Sequence, residues 1–145
     1  MSRRLFLRSS FVLLLFVVAG PLTSQSGFQV VVNTANPQSA MAKDDVSKLF
    51  LRKTTSWSSG LKVAPVDQAA SRSVRDLFTQ KVHGKPVAAI NAYWQKLIYS
   101  GRKTPPPQLA SDSEVLNYLR RNSGGIGYVS AGATIGSGLK RLIVN

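Results

Sequence analysis

Hydrophobic positions in this chain switch between two periods. Phe28 to Asn33 (FQVVVN) is a short valine-rich run bounded by polar residues, the pattern of a buried strand. Asn33 to Ser39 then holds Pro37 and turn formers. Ala42, Val46, Leu49 and Phe50 recur at i, i+4, i+7 and i+8, one face of a helix. Asp44 and Asp45 open that helix and Arg52 and Lys53 follow it, in line with its dipole. Thr54 to Gly60 reads as a turn whose one large apolar group, Trp57, plugs the edge of the core. Leu61 to Val66 (LKVAPV) reads as a second strand, with Pro65 near its end because proline cannot donate to a ladder.

The helical period returns at Val74, Leu77, Phe78 and Val82, with Ser71 or Ser73 as the expected cap and Gly84 and Pro86 as the stop. Val87 to Ser100 carries the stripe Ile90, Tyr93, Trp94, Leu97 and Ile98. Pro105-Pro106-Pro107 forces an extended loop. Ser111-Asp112-Ser113-Glu114 is a capping box that opens a helix with Val115, Tyr118 and Leu119 inward. Ile126 to Val129 and Leu139 to Val144 are two last strands around a small, glycine-rich loop. The order β-α-β-α-α-α-β-β predicts an α/β domain, a three-layer sandwich with a mostly parallel sheet.

The first 26 residues follow a different logic. Arg3, Arg4 and Arg8 precede the apolar run Phe11 to Ala19, and Ser24-Gln25-Ser26 offers small residues before Gly27. This is the order of a signal peptide, and the apolar run is shorter than the ~20 residues a membrane span needs. The expectation is a signal peptide over 1–26, a mature domain over 27–145 and no stable membrane anchor after cleavage. Both the general secretory and the twin-arginine routes are open, because Arg3-Arg4 suits the second and the strong apolar run suits the first.

Removing 26 of 145 residues leaves 119, enough for one core. The mature chain keeps 16 Lys and Arg (19 less Arg3, Arg4 and Arg8) against 6 acids. That surface favours anionic partners without choosing among them. The pairs Arg52-Lys53, Arg102-Lys103, Arg120-Arg121 and Lys140-Arg141 are scattered and not a stripe with interleaved aromatics, so nucleic acid is not the expected partner. One histidine, His83, and no cysteine exclude a tetrahedral His/Cys metal site and disulfides. His83 sits where a cationic ring would favour a helix end. No nucleophile–base–acid set can be assembled around it, so neither an enzyme nor a cofactor is expected.

One constellation has a chemical mechanism. The loop Asp67 to Ala70 leaves the end of a strand, and Ser71, Arg72, Ser73 and Arg75 crowd the helix opening after it. Hydroxyls of Ser71 and Ser73 and the first helix amides suit an oxyanion, with Arg72 or Arg75 adding charge. The same residues also suit an ordinary helix cap.

Leu49-Phe50-Leu51 with Lys53, Trp57 and Gly60, then Val66, Ser71, Ser73 and Phe78, resembles the periplasmic phosphate-binding proteins of ABC transporters. Val31-Val32-Asn33, Tyr93-Trp94, Ser100-Gly101, Pro106, Ser111, Glu114-Val115 and Ile126-Gly127-Tyr128-Val129 continue the likeness. The resemblance implies one lobe of a type 2 periplasmic-binding-protein-like fold, a periplasmic location and a role related to phosphate transport. It implies Ser71 and Ser73 as anion donors. It also marks two departures: Asp67 stands where the family has Arg, and Arg72 where it has Gly. An aspartate facing phosphate would repel it. Two functions follow as expectations. One is capture of phosphate or another oxyanion at Ser71, Arg72, Ser73 and Arg75. The other is a protein-interaction or regulatory module that has lost its ligand, its open face covered by a second copy or a separate chain.

Overall fold

The computed structural model describes residues 27–145, so the expected signal peptide lies outside the described residues. Strands β1 (Phe28–Asn33) and β2 (Ala40–Met41) precede helix α1 (Lys43–Phe50). Short strands β3 (Ala64–Pro65) and β4 (Asp67–Gln68) lead to α2 (Ser73–Phe78), which continues into a π-helical turn at Thr79–His83. Then come α3 (Val87–Tyr99), β5 (Gln108–Leu109), α4 (Asp112–Arg121), β6 (Gly125–Ser130) and β7 (Leu139–Val144).

Five strands form one sheet in the order β2-β7-β1-β6-β3, and β4 pairs with β5 in a small second sheet. The main sheet is mixed, which corrects the expectation of a mostly parallel one. Neighbours β2 and β7 run parallel, as do β3 and β6, whereas β1 is antiparallel to both β6 and β7. Four strands therefore share a direction and the central one opposes them. The valine run of β1 shows that both its faces are buried, but strand direction leaves no trace in such a run.

Alternation along β1 splits the core in two. Val30 and Val32 face α1 and α2, packing with Val46, Leu49, Phe50, Val74, Phe78 and Tyr128. Val31 faces α4, packing with Val66, Val115, Leu116, Leu119 and Val129. Helices on both faces of one sheet make the three layers that the element order predicts. On the first face the ring of Phe78 stacks on Tyr128 with centroids 3.8 Å apart. Trp57 is 4% exposed, and its indole N–H donates to the Gly124 carbonyl at 2.9 Å, so it closes the core edge as expected.

The α4 start follows the sequence closely. The Ser111 hydroxyl accepts from the Glu114 amide at 3.2 Å, and the Glu114 carboxylate accepts from the Ala110 amide at 2.8 Å. The stripe of α3 departs from expectation in its last turn. Ile90 and Trp94 are buried, but Ile98 is 51% exposed and Tyr99 97% exposed. The proline-rich segment after α3 is extended, and the Pro107 carbonyl receives the Asp67 amide at 2.9 Å.

Candidate functional site

Beyond β3 the chain turns through Val66 into β4, which brings Asp67 and Gln68 to the start of α2. Both are buried. The Asp67 carboxylate is not open to a ligand, contrary to the sequence expectation. It accepts from the Gln68 amide at 3.0 Å and from the Tyr128 hydroxyl, and it pairs with the Arg75 guanidinium at 3.2 Å. Asp67 is 6% exposed and Arg75 1%. Burial pushes the Asp67 carboxyl above the usual range, while Arg75 and Tyr128 pull it back. Burial and the neighbouring carboxylate push the Tyr128 hydroxyl up as well, so it remains a donor.

Arg75 also donates to the Gln68 carbonyl at 2.6 Å. Its charge is thus committed inside the protein, one turn below the loop it was expected to serve. Arg72 takes the outward position. It is half-buried, donates to the Gln68 side-chain oxygen at 3.1 Å and lies 3.5 Å from an oxygen of Asp112. Gln68 bridges further, donating to Asp112 at 2.8 Å and to the Tyr128 carbonyl at 2.9 Å. Burial alone would raise the Asp112 carboxyl. Bonds from Gln68 and Ser130 and the charge of Arg72 outweigh it, so the carboxyl lies below its usual range.

Ser71 and Ser73 are exposed on either side of Arg72. Neither caps α2, contrary to the expectation from sequence. Arg72 is the cap residue, Ser73 the first of the helix, and no side chain bonds back to the free turn. The loop therefore gathers Ser71, Arg72 and Ser73 at the surface and places Arg75 behind them. The sequence alone does not single out Gln68, Tyr128 or Asp112 as members of this cluster. Its one available signal was Asp67-Gln68, two polar residues directly after a buried strand, which need partners.

His83 does not act as a cationic cap. Burial, with the charges of Arg75, Lys53 and Lys85, holds its pKa down at about 4. The neutral ring bonds the Ser47 hydroxyl through Nδ1 at 2.8 Å. Among the described residues no group of three His, Cys, Asp or Glu is placed to hold a metal ion. Among them, too, no helix is long and apolar enough to cross a membrane.

The fold is that of part of a phosphate ABC transporter substrate-binding protein. No family model matches the chain, and no curated protein matches it. Solved structures do. An ABC-type phosphate transport receptor from Vibrio cholerae is 19% identical with a TM-score of 0.61, over 82% of this chain and 46% of that one. A putative phosphate ABC transporter substrate-binding protein with bound phosphate from Clostridium perfringens is 15% identical with a TM-score of 0.63, over 82% and 45%. A possible phosphate-binding protein from Planctomyces limnophilus is 19% identical with a TM-score of 0.62, over 83% and 42%. The matched region spans less than half the length of each of these proteins, the share that one lobe contributes. At these identities the likeness establishes fold.

Proposed function

We propose that this chain is a non-enzymatic, solute-binding-protein-like lobe of the periplasm that takes phosphate or a similar oxyanion in a phosphate-transport-related role. The observation that carries the reading is the surface triplet Ser71, Arg72 and Ser73 at a helix start that no side chain caps. Two exposed serines there flank Arg72, whose half-buried guanidinium is shared with Gln68 and Asp112. Arg75 acts from behind: paired with Asp67, it fixes the Gln68 carbonyl and so the shape of the loop. The fold shared with a protein solved with bound phosphate supports the same reading. Because the triplet faces water, screening keeps each charge-assisted bond weak, and a Kd on the order of 1 mM follows.

Calorimetry with inorganic phosphate tests it. Heat saturating in the millimolar range, and reduced in the Ser71→Ala/Ser73→Ala double variant, is the expected result. No heat, or heat unchanged in that variant, overturns it. The export half of the proposal is tested by N-terminal sequencing of the protein from a periplasmic fraction, where the first residue expected is Gly27.

A second reading, the interaction module, has one observation in its favour. Ile98 and Tyr99 leave an apolar end of α3 open to solvent. It predicts a cross-linked pair, with a second copy or a separate chain, that Tyr99→Asp abolishes. Cross-linking in envelope extract that finds only monomer sinks it.

A further inference from the structure

A polar cavity lies at the opposite end of β3 from the Ser71 loop. It has a volume of about 340 Å³ and is lined by Arg52, Lys62, Tyr118, Asn122, Ser123 and Gly124, among others. Arg52 reaches it by an unusual backbone. The residue follows α1 with φ at 53°, the left-handed region. The Arg52 amide donates to the Leu49 carbonyl at 3.2 Å and the Lys53 amide to the Lys48 carbonyl at 2.9 Å. This bond pair is the Schellman motif, whose left-handed position is ordinarily glycine, because a Cβ there is strained. Arginine at that position is a local cost that the helix end does not require. Strain of this kind is retained where the side chain has a use.

Beyond the dipole of α1, no carboxylate among the described residues pairs with that side chain. The Arg52 Nε–H is buried and has no hydrogen-bond partner. The ion pairs among the described residues join Lys48 to Asp45, Arg72 to Asp112 and Arg75 to Asp67, so neither Arg52 nor Lys62 takes part in one. No carboxylate lines the cavity. Gly124 holds Lys62 in place. A Cβ on Gly124 would stand 1.8 Å from the Lys62 carbonyl oxygen, so only glycine permits this approach. The Gly124 carbonyl in turn accepts from the Trp57 indole and from the Ala64 amide at 3.0 Å, which ties the wall to the core. Two cations, one with an orphaned buried donor, thus line a polar hollow that no carboxylate lines. Such a donor calls for an acceptor, and two cations call for a negative one.

We infer that the cavity between Arg52, Lys62 and the Ser123–Gly124 loop is a binding site for a small tetrahedral oxyanion, separate from the Ser71 loop. Arg52 supplies directed N–H donors and Lys62 a point charge. The site depends on none of the residues of the proposed phosphate loop.

Titrating inorganic phosphate, and sulfate in parallel, into isotope-labelled protein at constant ionic strength tests it by NMR. The Arg52 Nε–H signal and the Ser123 and Gly124 amides are expected to shift and saturate by ~20 mM, as millimolar binding requires. Arg52→Gly is the decisive variant. Because glycine suits the left-handed position, its melting temperature is expected to stay level or rise, while the shifts at Ser123 and Gly124 disappear. Lys62→Gln, at an exposed position, is expected to weaken binding about tenfold, a loss typical of one charge-assisted contact. Ser71→Ala/Ser73→Ala is expected to leave these shifts unchanged, which separates this site from the loop. Shifts that are absent or non-saturating in the wild type, or that persist in Arg52→Gly, overturn the inference.

Discussion

Arg75 and Arg52 lie near opposite ends of β3 and differ in what answers their charge. Arg75 is enclosed by the chain itself: Asp67 on one side, the Gln68 carbonyl on another, and Tyr128 bonding the same carboxylate. Arg52 lines an open hollow with Lys62 beside it and no acid near it. The contrast teaches how to read a basic protein. A count of cations says little about where an anion binds. What distinguishes the two places is whether the fold has already supplied the counter-charge. By this measure Arg75 is internal to the expected anion loop and Arg72 is shared with Asp112, so the loop keeps two hydroxyls and a partly answered guanidinium for a ligand.

The largest test removes the internal counter-charge. Asp67→Ala leaves Arg75 buried without a counter-charge, and a loss of about 3–5 kcal/mol in urea unfolding is expected. Asp67→Arg, which a family comparison alone would suggest as a gain of function, places a second guanidinium against Arg75 and is expected to unfold the domain outright. A stable Asp67→Arg protein would mean that the pair is not the keystone described here.

The next effect is set by pH. The folded pKa of His83 is depressed to about 4 from an ordinary 6.5. Its contribution is therefore complete above pH 6.5 and is lost as pH falls through 4. The shift corresponds to roughly 3 kcal/mol at most. Unfolding free energies measured from pH 7 to pH 4 should fall by about that much, and His83→Gln should flatten the slope. A slope that survives the substitution assigns the acid sensitivity to another group.

Arg52→Gly comes third and has the opposite sign. Relief of the left-handed strain is expected to add about 1 kcal/mol of stability in urea unfolding. The smallest effect belongs to the exposed loop. Ser71→Ala/Ser73→Ala should alter stability by less than about 0.5 kcal/mol, since neither hydroxyl caps the helix. If that variant destabilises more, the serines hold the loop and are not free for a ligand.

Much of the fold was legible because period and punctuation agree. FQVVVN is β1 residue for residue, Ser111 caps α4 through Glu114, and LKRLIV is β7. Direction in the sheet was not legible, since a valine run buried on both faces looks the same whichever way its neighbours point. The last turn of α3 misled for a related reason. Ile98 fits a buried stripe by spacing, but no element packs over it. The site was legible as a place and not as a circuit. Ser71, Arg72 and Ser73 do share one surface. Asp67 was read as facing outward because sequence order says nothing of a tyrosine 61 positions later whose hydroxyl closes on it. His83 was assigned a charge from its position at a helix end, and burial beside three cations removed that charge.

The central place of β1 has a kinetic consequence. It is the first described strand, yet its partners are the last two, β6 and β7, with contacts such as Gln29 to Ser130 spanning 101 positions. No local hairpin can seed this sheet. Before β1 gains a neighbour, the chain must close a loop that holds every described helix, and the entropy of that closure comes before any reward from pairing. Folding is therefore expected to be slow beside helical domains of equal size. A chain cut before Leu139 would leave β1 with one bare edge, a ready template for another copy's strand.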